Sequence, residues 1–271
     1  MKRSFLLLLA ALLCCHALSH AAGERPFGDG EELVYAVAYR ARLIPNTEVG
    51  RAVLRLNAEN FDGKPAYHIT ATGRTLPFFR WFYDLNDVYH SWIDSASLLP
   101  RRLSVQLQED TYLFSSEYRY DWVARRVNNT YRNHAWPEDR FKSMPLSPTS
   151  FDAVALFYNL RASDPSTYEP GKEKSLSLVL EDTIRTIRYR YVGPETIKVK
   201  GLGKFRALRF TCQIATSSGV SFEDGSEFDL WISDDRNRIP LLIETPVRVG
   251  SVRAYLKESR NLNYPLDSFI K

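Results

Sequence analysis

Side chains that could bind a metal ion are few and scattered in this sequence. Beyond residue 21 the chain has three histidines, His68, His90 and His134. No two of them are close in sequence, and no H-E-x-x-H or similar spacing occurs, whereas zinc sites favour recognisable clusters of His and Cys. His68 and His90 also fall at polar positions of predicted strands. The sequence therefore predicts no metal site and no cofactor.

Pairs of acidic residues could supply the two carboxyl groups that acid–base catalysis holds across a cleft. The pairs are Asp84/Asp87, Glu181/Asp182, Glu223/Asp224 and Asp234/Asp235. Acidic neighbours in sequence mostly mark turns, where they bond their own backbone. A calcium site at Asp234, Asp235 and Asn237 lacks the spacing and the bidentate glutamate of a known loop.

The sequence offers no other catalytic constellation. It has no G-x-S-x-G motif, and the stretch GLGKF at residues 201–205 lies between two predicted strands, where it indicates a turn and not a phosphate loop. Cys212 lies on the apolar face of a predicted strand, and polar residues occupy the alternate positions. A small buried thiol is the common case on such a face. We predict no catalytic residues, so an enzyme is the least favoured class of function.

The stretch PFFRWFYDLND at residues 77–87 concentrates aromatic side chains. The candidate ligand-binding residues are Phe78, Phe79, Trp81, Phe82 and Tyr83. Pro77 suits the first turn of a short helix. The aromatic residues have three interpretations: a connection that plugs the barrel, the wall or lid of an apolar ligand pocket, or a contact with a membrane or another protein.

The elements that must position these residues are mainly strands. In TYLFSSEYRYDW, residues 111–122, Tyr112, Phe114, Tyr118, Tyr120 and Trp122 share one parity. Such alternation places one set of side chains on one face of a strand. About a dozen short strands with short turns follow this rule, which predicts a mainly β fold. We expect an antiparallel β-barrel or half-barrel meander.

One segment lacks the two-residue period. SPTSFDAVALFYNLRAS, residues 147–163, can begin a helix at Thr149 or Ser150, and Asp152 favours the first turn. The segment is apolar nearly all round, which is typical of a buried helix. We predict one buried helix at about residues 150–162. It divides a single β-rich domain, residues 22–271, into two possible halves, 31–133 and 174–259.

The N-terminal residues have the layout of a secretory signal peptide. Lys2 and Arg3 precede an apolar run at residues 5–13, and small residues precede a cleavage position near Ala21. The apolar run is too short for a spanning helix. Cys15 follows Cys14, an unfavourable context for lipidation. We therefore expect a signal peptide at residues 1–21, export to the periplasm or outer envelope, no lipid anchor and no transmembrane span.

The charge is nearly balanced. The formal net charge is +4 at pH 7, and two positive charges lie in the predicted signal peptide. A nucleic-acid partner would favour a basic patch, so we expect none.

Four stretches carry a resemblance to a known family. They are FGDGEELVYAVAYRARLIPNTEVG, DLNDVYHSWIDSASLLPRRL, VLEDTIRTIRYRYVG and DLWISDDRNRIPLLIETPVRVGSVRAYL. Together they resemble the bacterial domain of unknown function 3108 family, in its Bacteroides-like version, over about residues 27–265. The resemblance implies an exported β-rich protein of undefined activity and supplies no catalytic residues.

A looser likeness in architecture is to the periplasmic lipoprotein-localisation carriers. Those are open half-barrels that hold helices against a concave apolar face for acyl chains, but architecture alone does not determine function. Two hypotheses follow. The chain carries or binds a lipid or other hydrophobic ligand without catalysis, or it is an interaction or scaffold protein of the envelope with a filled core. The partner protein in the second case is unknown.

Overall fold

The fold is described from a computed structural model, which covers residues 25–41, 44–214, 227–247 and 250–271. The predicted signal peptide at residues 1–21 and the Glu223/Asp224 pair lie outside the described residues.

Sixteen strands are present among the described residues. They are β1 (Glu32–Ala41), β2 (Ile44–Phe61), β3 (Lys64–Thr75), β4 (Asn86–Asp94), β5 (Pro100–Glu109), β6 (Tyr112–Asp121), β7 (Arg126–Asn133), β8 (Arg140–Pro145), β9 (Ser150–Phe151), β10 (Glu173–Leu180), β11 (Thr183–Val199), β12 (Gly203–Ile214), β13 (Glu227–Ser233), β14 (Pro240–Pro246), β15 (Ser251–Arg260) and β16 (Phe269–Ile270). One α-helix, α1 (Ala153–Ala162), and two short 3-10 helices, Pro77–Phe79 and Pro165–Thr167, complete the elements of the described chain.

The strands form one open sheet. Its order is β8-β7-β6-β5-β4-β3-β2-β1-β15-β14-β13-β12-β11-β10-β9, with β16 paired to β12. Neighbouring strands are antiparallel except β9 and β10, which pair in parallel. The prediction of a mainly β, antiparallel fold with one helix is confirmed, and the half-barrel form applies because the sheet does not close.

Alternation along the strands accounts for the two faces of the sheet. On β6, Phe114 and Tyr118 are buried while Arg119 is exposed, and on β12 Cys212 is buried, as expected.

The β2–β3 hairpin turns at Asp62 and Gly63, where both residues have positive φ. A tight hairpin favours that conformation because its twist matches that of the strands. The predicted turn near residue 62 is therefore present.

The helix begins three residues later than predicted. Ser150 and Phe151 pair with β10 as a short strand. Asp152 is the N-terminal cap of α1, because its carboxylate accepts hydrogen bonds from the backbone N–H groups of Val154 and Ala155, both at 2.9 Å. A carboxylate that satisfies two free N–H groups marks the start of a helix.

The helix is buried against the sheet, as predicted. Every residue from 154 to 162 is buried, including Arg161. The Arg161 guanidinium donates to both carboxylate oxygens of Glu31, and the bond from Nη2 to Oε2 measures 2.7 Å. It also donates to the carbonyl groups of Pro26 and Asn237. This buried pair connects α1 to the residue before β1.

The two halves of the chain meet in the middle of the sheet. Strand β1 pairs with β2 on one side and with β15 on the other. The helix follows β9 in sequence and lies between the strands of the two halves. Whether residues 31–133 and 174–259 behave as separate units stays a prediction.

Candidate functional site

The predicted ligand-binding residues lie in the connection between β3 and β4, at residues 77–83, which we call the aromatic loop. A 3-10 helix, Pro77–Phe79, opens it. The backbone N–H groups of Phe82 and Tyr83 then both donate to the carbonyl of Phe79, at 3.0 and 3.1 Å. These local bonds satisfy backbone groups that a short connection leaves without strand partners.

Three of the five aromatic side chains point into solvent. Phe78 is 77% exposed, Trp81 is 81% exposed and Phe82 is 69% exposed. Phe79 and Tyr83 are half-buried, and the rings of Phe78 and Phe79 meet edge to face. The interpretation of the loop as a plug of the barrel is therefore wrong for its three exposed rings, because these side chains face solvent and are not part of the buried core.

The foot of the aromatic loop is held to the turn between β5 and β6. Tyr83 donates its phenolic O–H to Glu109 Oε2 at 2.6 Å. Asp84 N–H donates to the Asp110 carboxylate at 2.8 Å, and Asp110 N–H donates back to the Asp84 carbonyl at 2.7 Å. Leu85 is fully buried behind these bonds. The exposed rings are thus presented from an anchored base.

A pair of buried acids lies beneath that base. Asp87 and Glu109 are both buried. Burial and the nearby Glu109 charge raise the pKa of Asp87 to about 8. Burial also raises the pKa of Glu109, although the Tyr83 hydrogen bond acts in the opposite direction. Desolvation disfavours the charged form of each carboxyl group, so this pair retains a proton near neutral pH.

Sequence spacing groups Asp87 with Asp84. The structure instead brings Asp87 near Glu109, because β4 and β5 are adjacent strands, and Gln108 N–H donates to Asp87 Oδ1 at 3.2 Å. The proximity of Glu109 to Asp87 could not be recognised from sequence spacing, because the β4–β5 hairpin separates the two residues. The only signal available was an acidic residue on each of two predicted neighbouring strands.

An apolar cavity of about 30 Å³ lies between the sheet and the helix. Side chains of β4, β5, β6, β10 and α1 line it, among them Tyr89, Leu103, Phe114 and Val154. None of the five aromatic residues of the loop lines this cavity. A volume of this size holds about one water molecule, which is far too small for an acyl chain.

The acidic residues at 234 and 235, considered above as a calcium site, lie in a turn. Asp235 accepts hydrogen bonds from Ser233, Asn237 and Ser268, as a turn residue does. Within residues 25–41, 44–214, 227–247 and 250–271, no group of three or more His, Cys, Asp or Glu side chains is arranged to hold a metal ion.

Two of the histidines are nevertheless close in space. His68 Nε2 and His90 Nδ1 are 3.1 Å apart on the outer face of β3 and β4, whereas His134 lies exposed in a loop. Sequence reasoning missed the contact because it depends on the register of two strands.

The comparisons with known proteins decide the family. The model of the family described as Protein of unknown function (DUF3108) matches residues 34–257. The chain belongs to this family. The resemblance to this family that the four sequence stretches indicate is thereby confirmed. No curated protein matches the sequence.

Solved structures also resemble this DUF3108 chain. One is a beta-barrel-like protein of domain of unknown function DUF1849 from Brucella abortus, with a TM-score of 0.57 and 11% identity, covering 87% of this chain and 98% of the other. Another is a candidate lipoprotein from Parabacteroides distasonis ATCC 8503, with a TM-score of 0.38 and 11% identity, covering 87% and 97%. The first likeness concerns the fold alone.

Among the described residues, no helix has the length and apolar content to cross a bilayer.

Proposed function

We propose that this DUF3108 member is a non-catalytic protein of the cell envelope that binds a lipid or a similar hydrophobic ligand through the aromatic loop. The envelope location is supported by the signal-like N-terminal sequence, with Lys2 and Arg3 ahead of an apolar run. Cleavage near Ala21 without lipidation is part of the same proposal.

The exposure of Phe78, Trp81 and Phe82 carries this proposal. Clustered exposed apolar side chains mark interaction sites on soluble proteins, whereas single ones are ordinary. Tryptophan is also enriched at the boundary between a membrane and water, where an amphipathic ring finds both environments. The three rings extend from one seven-residue connection with an anchored base, so they can enter an apolar phase together.

The small cavity argues for binding at the surface and against carriage inside the fold. A pocket of about 30 Å³ lies well below the volume of a usual ligand pocket, at least about 300 Å³. The site of the proposed lipid contact is therefore the exposed loop. Arg80 in the loop pairs with Asp84 at 3.6 Å, so the loop adds little net charge and the contact should depend weakly on anionic lipid.

The small volume of this cavity also favours the second hypothesis, an envelope interaction or scaffold protein without a ligand. In that case the same exposed rings contact a partner protein. The two functions share a surface but differ in what covers it, so one set of variants tests both.

Sedimentation with phospholipid vesicles is the deciding experiment. We expect the chain to bind zwitterionic phosphatidylcholine vesicles, with little gain from phosphatidylglycerol. A triple variant, Phe78→Ser, Trp81→Ser and Phe82→Ser, should lose binding. The matched control is Val123→Ser with Phe141→Ser, which removes two exposed apolar side chains elsewhere and should bind as the wild type does.

Two results would contradict lipid binding by the loop. One is equal sedimentation of the wild type and the triple variant. The other is failure of the wild type to bind both vesicles and a fluorescent fatty acid. If the wild type then cross-links to a host protein and the triple variant does not, the scaffold function replaces the lipid function.

A further inference from the structure

A polar groove lies on the outer face of strands β5, β6 and β7, and we call it the outer groove. Its volume is about 160 Å³, several times that of the apolar cavity between the sheet and the helix. This volume has room for about ten water molecules, and therefore for a small organic ligand. The polar side chains that line it are Ser104, Gln106, Ser115, Glu117, Thr130, Arg132 and Asp139.

Strand register explains why the outer face is hollow at this point. Ser115 on β6 is directly opposite Gln106 on β5 and Arg132 on β7. Glu117 lies two residues further along β6 and so shares the face of Ser115. One short side chain is thus enclosed by three long ones. The other two small residues of the lining are opposite Glu117, one on each neighbouring strand, and they extend the hollow.

The floor of the outer groove carries polar groups that are available to a ligand. No hydrogen bond to another residue of the described chain is made by the side chains of Ser104, Gln106, Ser115 and Thr130. Hydroxyl and amide groups both donate and accept hydrogen bonds. The floor therefore complements a ligand that also does both, and a molecule rich in hydroxyl groups has this property.

The loop between β7 and β8 forms one wall of the outer groove and is held in place. Asp139 in this loop pairs with Arg132 on β7 at 3.6 Å. The Trp136 ring meets the Tyr131 ring edge to face, with 6.1 Å between centroids, and the Arg140 guanidinium lies 3.8 Å from the Trp136 centroid. A wall that is ordered before binding loses less freedom when a ligand arrives.

The charges of the outer groove are paired, which favours a neutral ligand. Glu117 pairs with Arg102 at 3.0 Å, and Arg132 pairs with Asp139 at 3.6 Å. An anion would meet two carboxylates and a cation would meet two guanidinium groups, so the groove complements neither charge. These ionised groups still bond hydroxyl groups well, because a charged partner strengthens a hydrogen bond.

An exposed aromatic ring lies beside this polar floor. Phe141 on β8 is directly opposite Thr130 on β7, so the two side chains are neighbours on one face. Phe141 is 67% exposed. A sugar ring has an apolar C–H face as well as hydroxyl groups, and an aromatic side chain offers the apolar surface that such a face can cover.

We propose that the outer groove binds a neutral saccharide unit. The hydroxyl groups of the sugar bond the polar floor around Ser115, and its C–H face packs on Phe141. Because the groove is open at the surface of the sheet, it can hold one unit of a glycan that continues beyond it. The site uses no residue of the aromatic loop, so the proposal does not depend on lipid binding there.

Chemical-shift titration of the isotope-labelled chain by nuclear magnetic resonance tests the outer groove. The probes are neutral trisaccharides of glucose, galactose, mannose and N-acetylglucosamine. We expect shifts in the backbone amide signals of β5, β6 and β7. Ser115→Tyr fills the hollow with a residue that strands favour and should abolish the shifts. Ser175→Tyr makes the same change at an exposed position of β10 and should bind as the wild type does.

A second pair of variants separates this site from the aromatic loop. Phe141→Ser should weaken saccharide binding several-fold and leave vesicle sedimentation unchanged. Phe82→Ser removes a ring of similar exposure and should leave saccharide binding unchanged. Vesicles that contain a galactosyl lipid, mixed with the triple variant of the aromatic loop, identify the source of the sugar. Binding to these vesicles but to no free trisaccharide would assign the groove to a glycolipid headgroup.

Four results would overturn the proposal. They are failure to bind both the trisaccharides and the galactosyl-lipid vesicles, shifts that map away from β5, β6 and β7, shifts caused by inorganic phosphate and by no saccharide, and binding retained in a folded Ser115→Tyr chain. Circular dichroism verifies the fold of each variant. The positions of the shifts in the wild-type chain test the site even where a variant fails to fold.

Discussion

The helix α1 and the aromatic loop are both apolar segments that interrupt the strands, and they have opposite environments. The helix is buried over residues 154–162, whereas Phe78, Trp81 and Phe82 point into solvent. The helix connects β9 to β10, which pair in parallel, so it must cross from one end of that strand pair to the other. The loop joins two adjacent strands, so it must stay at their end. Composition alone therefore does not decide burial, because the direction of the connection also matters.

The charged residues of the two segments also differ in their environment: the one in the helix is buried and the one in the loop is exposed. The helix carries a buried charge, Arg161, which Glu31 and two carbonyl groups satisfy. The loop keeps its charged residue, Arg80, in solvent with Asp84. Burial of an ion without partners is very costly, so the partners of Arg161 are a condition for the position of the helix.

The largest expected effect is on the helix. Arg161→Ala leaves Glu31 buried without its partner, which should lower the free energy of unfolding by about 3–5 kcal/mol. Chemical denaturation at pH 7 measures this. The control, Arg102→Ala, removes a partly exposed pair with Glu117 and should cost less than about 1 kcal/mol. Equal effects of the two changes would show that the buried pair does not hold the helix.

The foot of the aromatic loop should make stability depend on pH. The folded pKa of Asp87 is about 8, above the unfolded value of about 4, so the folded state holds the proton more tightly. The stabilisation is complete below the unfolded pKa and is lost as the pH rises towards 8. Between pH 5 and pH 8 we expect a loss of about 2–4 kcal/mol from the carboxyl group of Asp87.

The Asp87→Asn variant isolates this effect. Asparagine keeps an oxygen for the Gln108 N–H and carries no charge, so the variant should lose most of the decline between pH 5 and pH 8 and should exceed the wild type in stability at pH 8. Asp84→Asn, in an exposed salt bridge, should follow the wild-type curve. An unchanged slope in Asp87→Asn would rule out Asp87 as the titrating group.

The start of the helix should contribute a smaller amount. Asp152→Ala removes an N-terminal cap that accepts two backbone N–H groups, which should cost about 0.5–2 kcal/mol. Asp164→Ala provides the comparison, since Asp164 caps an exposed 3-10 helix. Thermal denaturation of both variants measures the difference in stability. A larger loss of stability in Asp164→Ala than in Asp152→Ala would contradict the assigned start of the helix.

The smallest effect on stability should come from the exposed rings. Trp81→Ser and Phe82→Ser should each change the free energy of unfolding by less than about 0.5 kcal/mol, whereas Phe157→Ala in the helix should cost about 3–5 kcal/mol. Denaturation of the three variants measures the contrast between the loop and the helix directly. A loss of several kcal/mol in Phe82→Ser would show that the loop packs against the core.

Much of the architecture followed from local patterns in the sequence. Alternation along segments such as residues 111–122 predicted the strands, because a strand exposes its two faces in turn. The apolar run after Asp152 predicted one buried helix, because the segment lacks the two-residue period of a strand and a helix that is apolar nearly all round is normally buried. The turn residues Asp62 and Gly63 predicted a hairpin, since both take a positive φ.

The tertiary structure decided the rest, because strand register and the direction of connections join residues that are far apart in sequence. Register placed Asp87 near Glu109 and His68 beside His90, and neither pair has a spacing that sequence reasoning could recognise. Pairing of residues 150 and 151 with β10 moved the helix start to Ala153. The β3–β4 connection stays at the end of an antiparallel strand pair and left the rings of Phe78, Trp81 and Phe82 in solvent. Hydrophobic burial requires a surface within reach, and the type of side chain alone does not supply one.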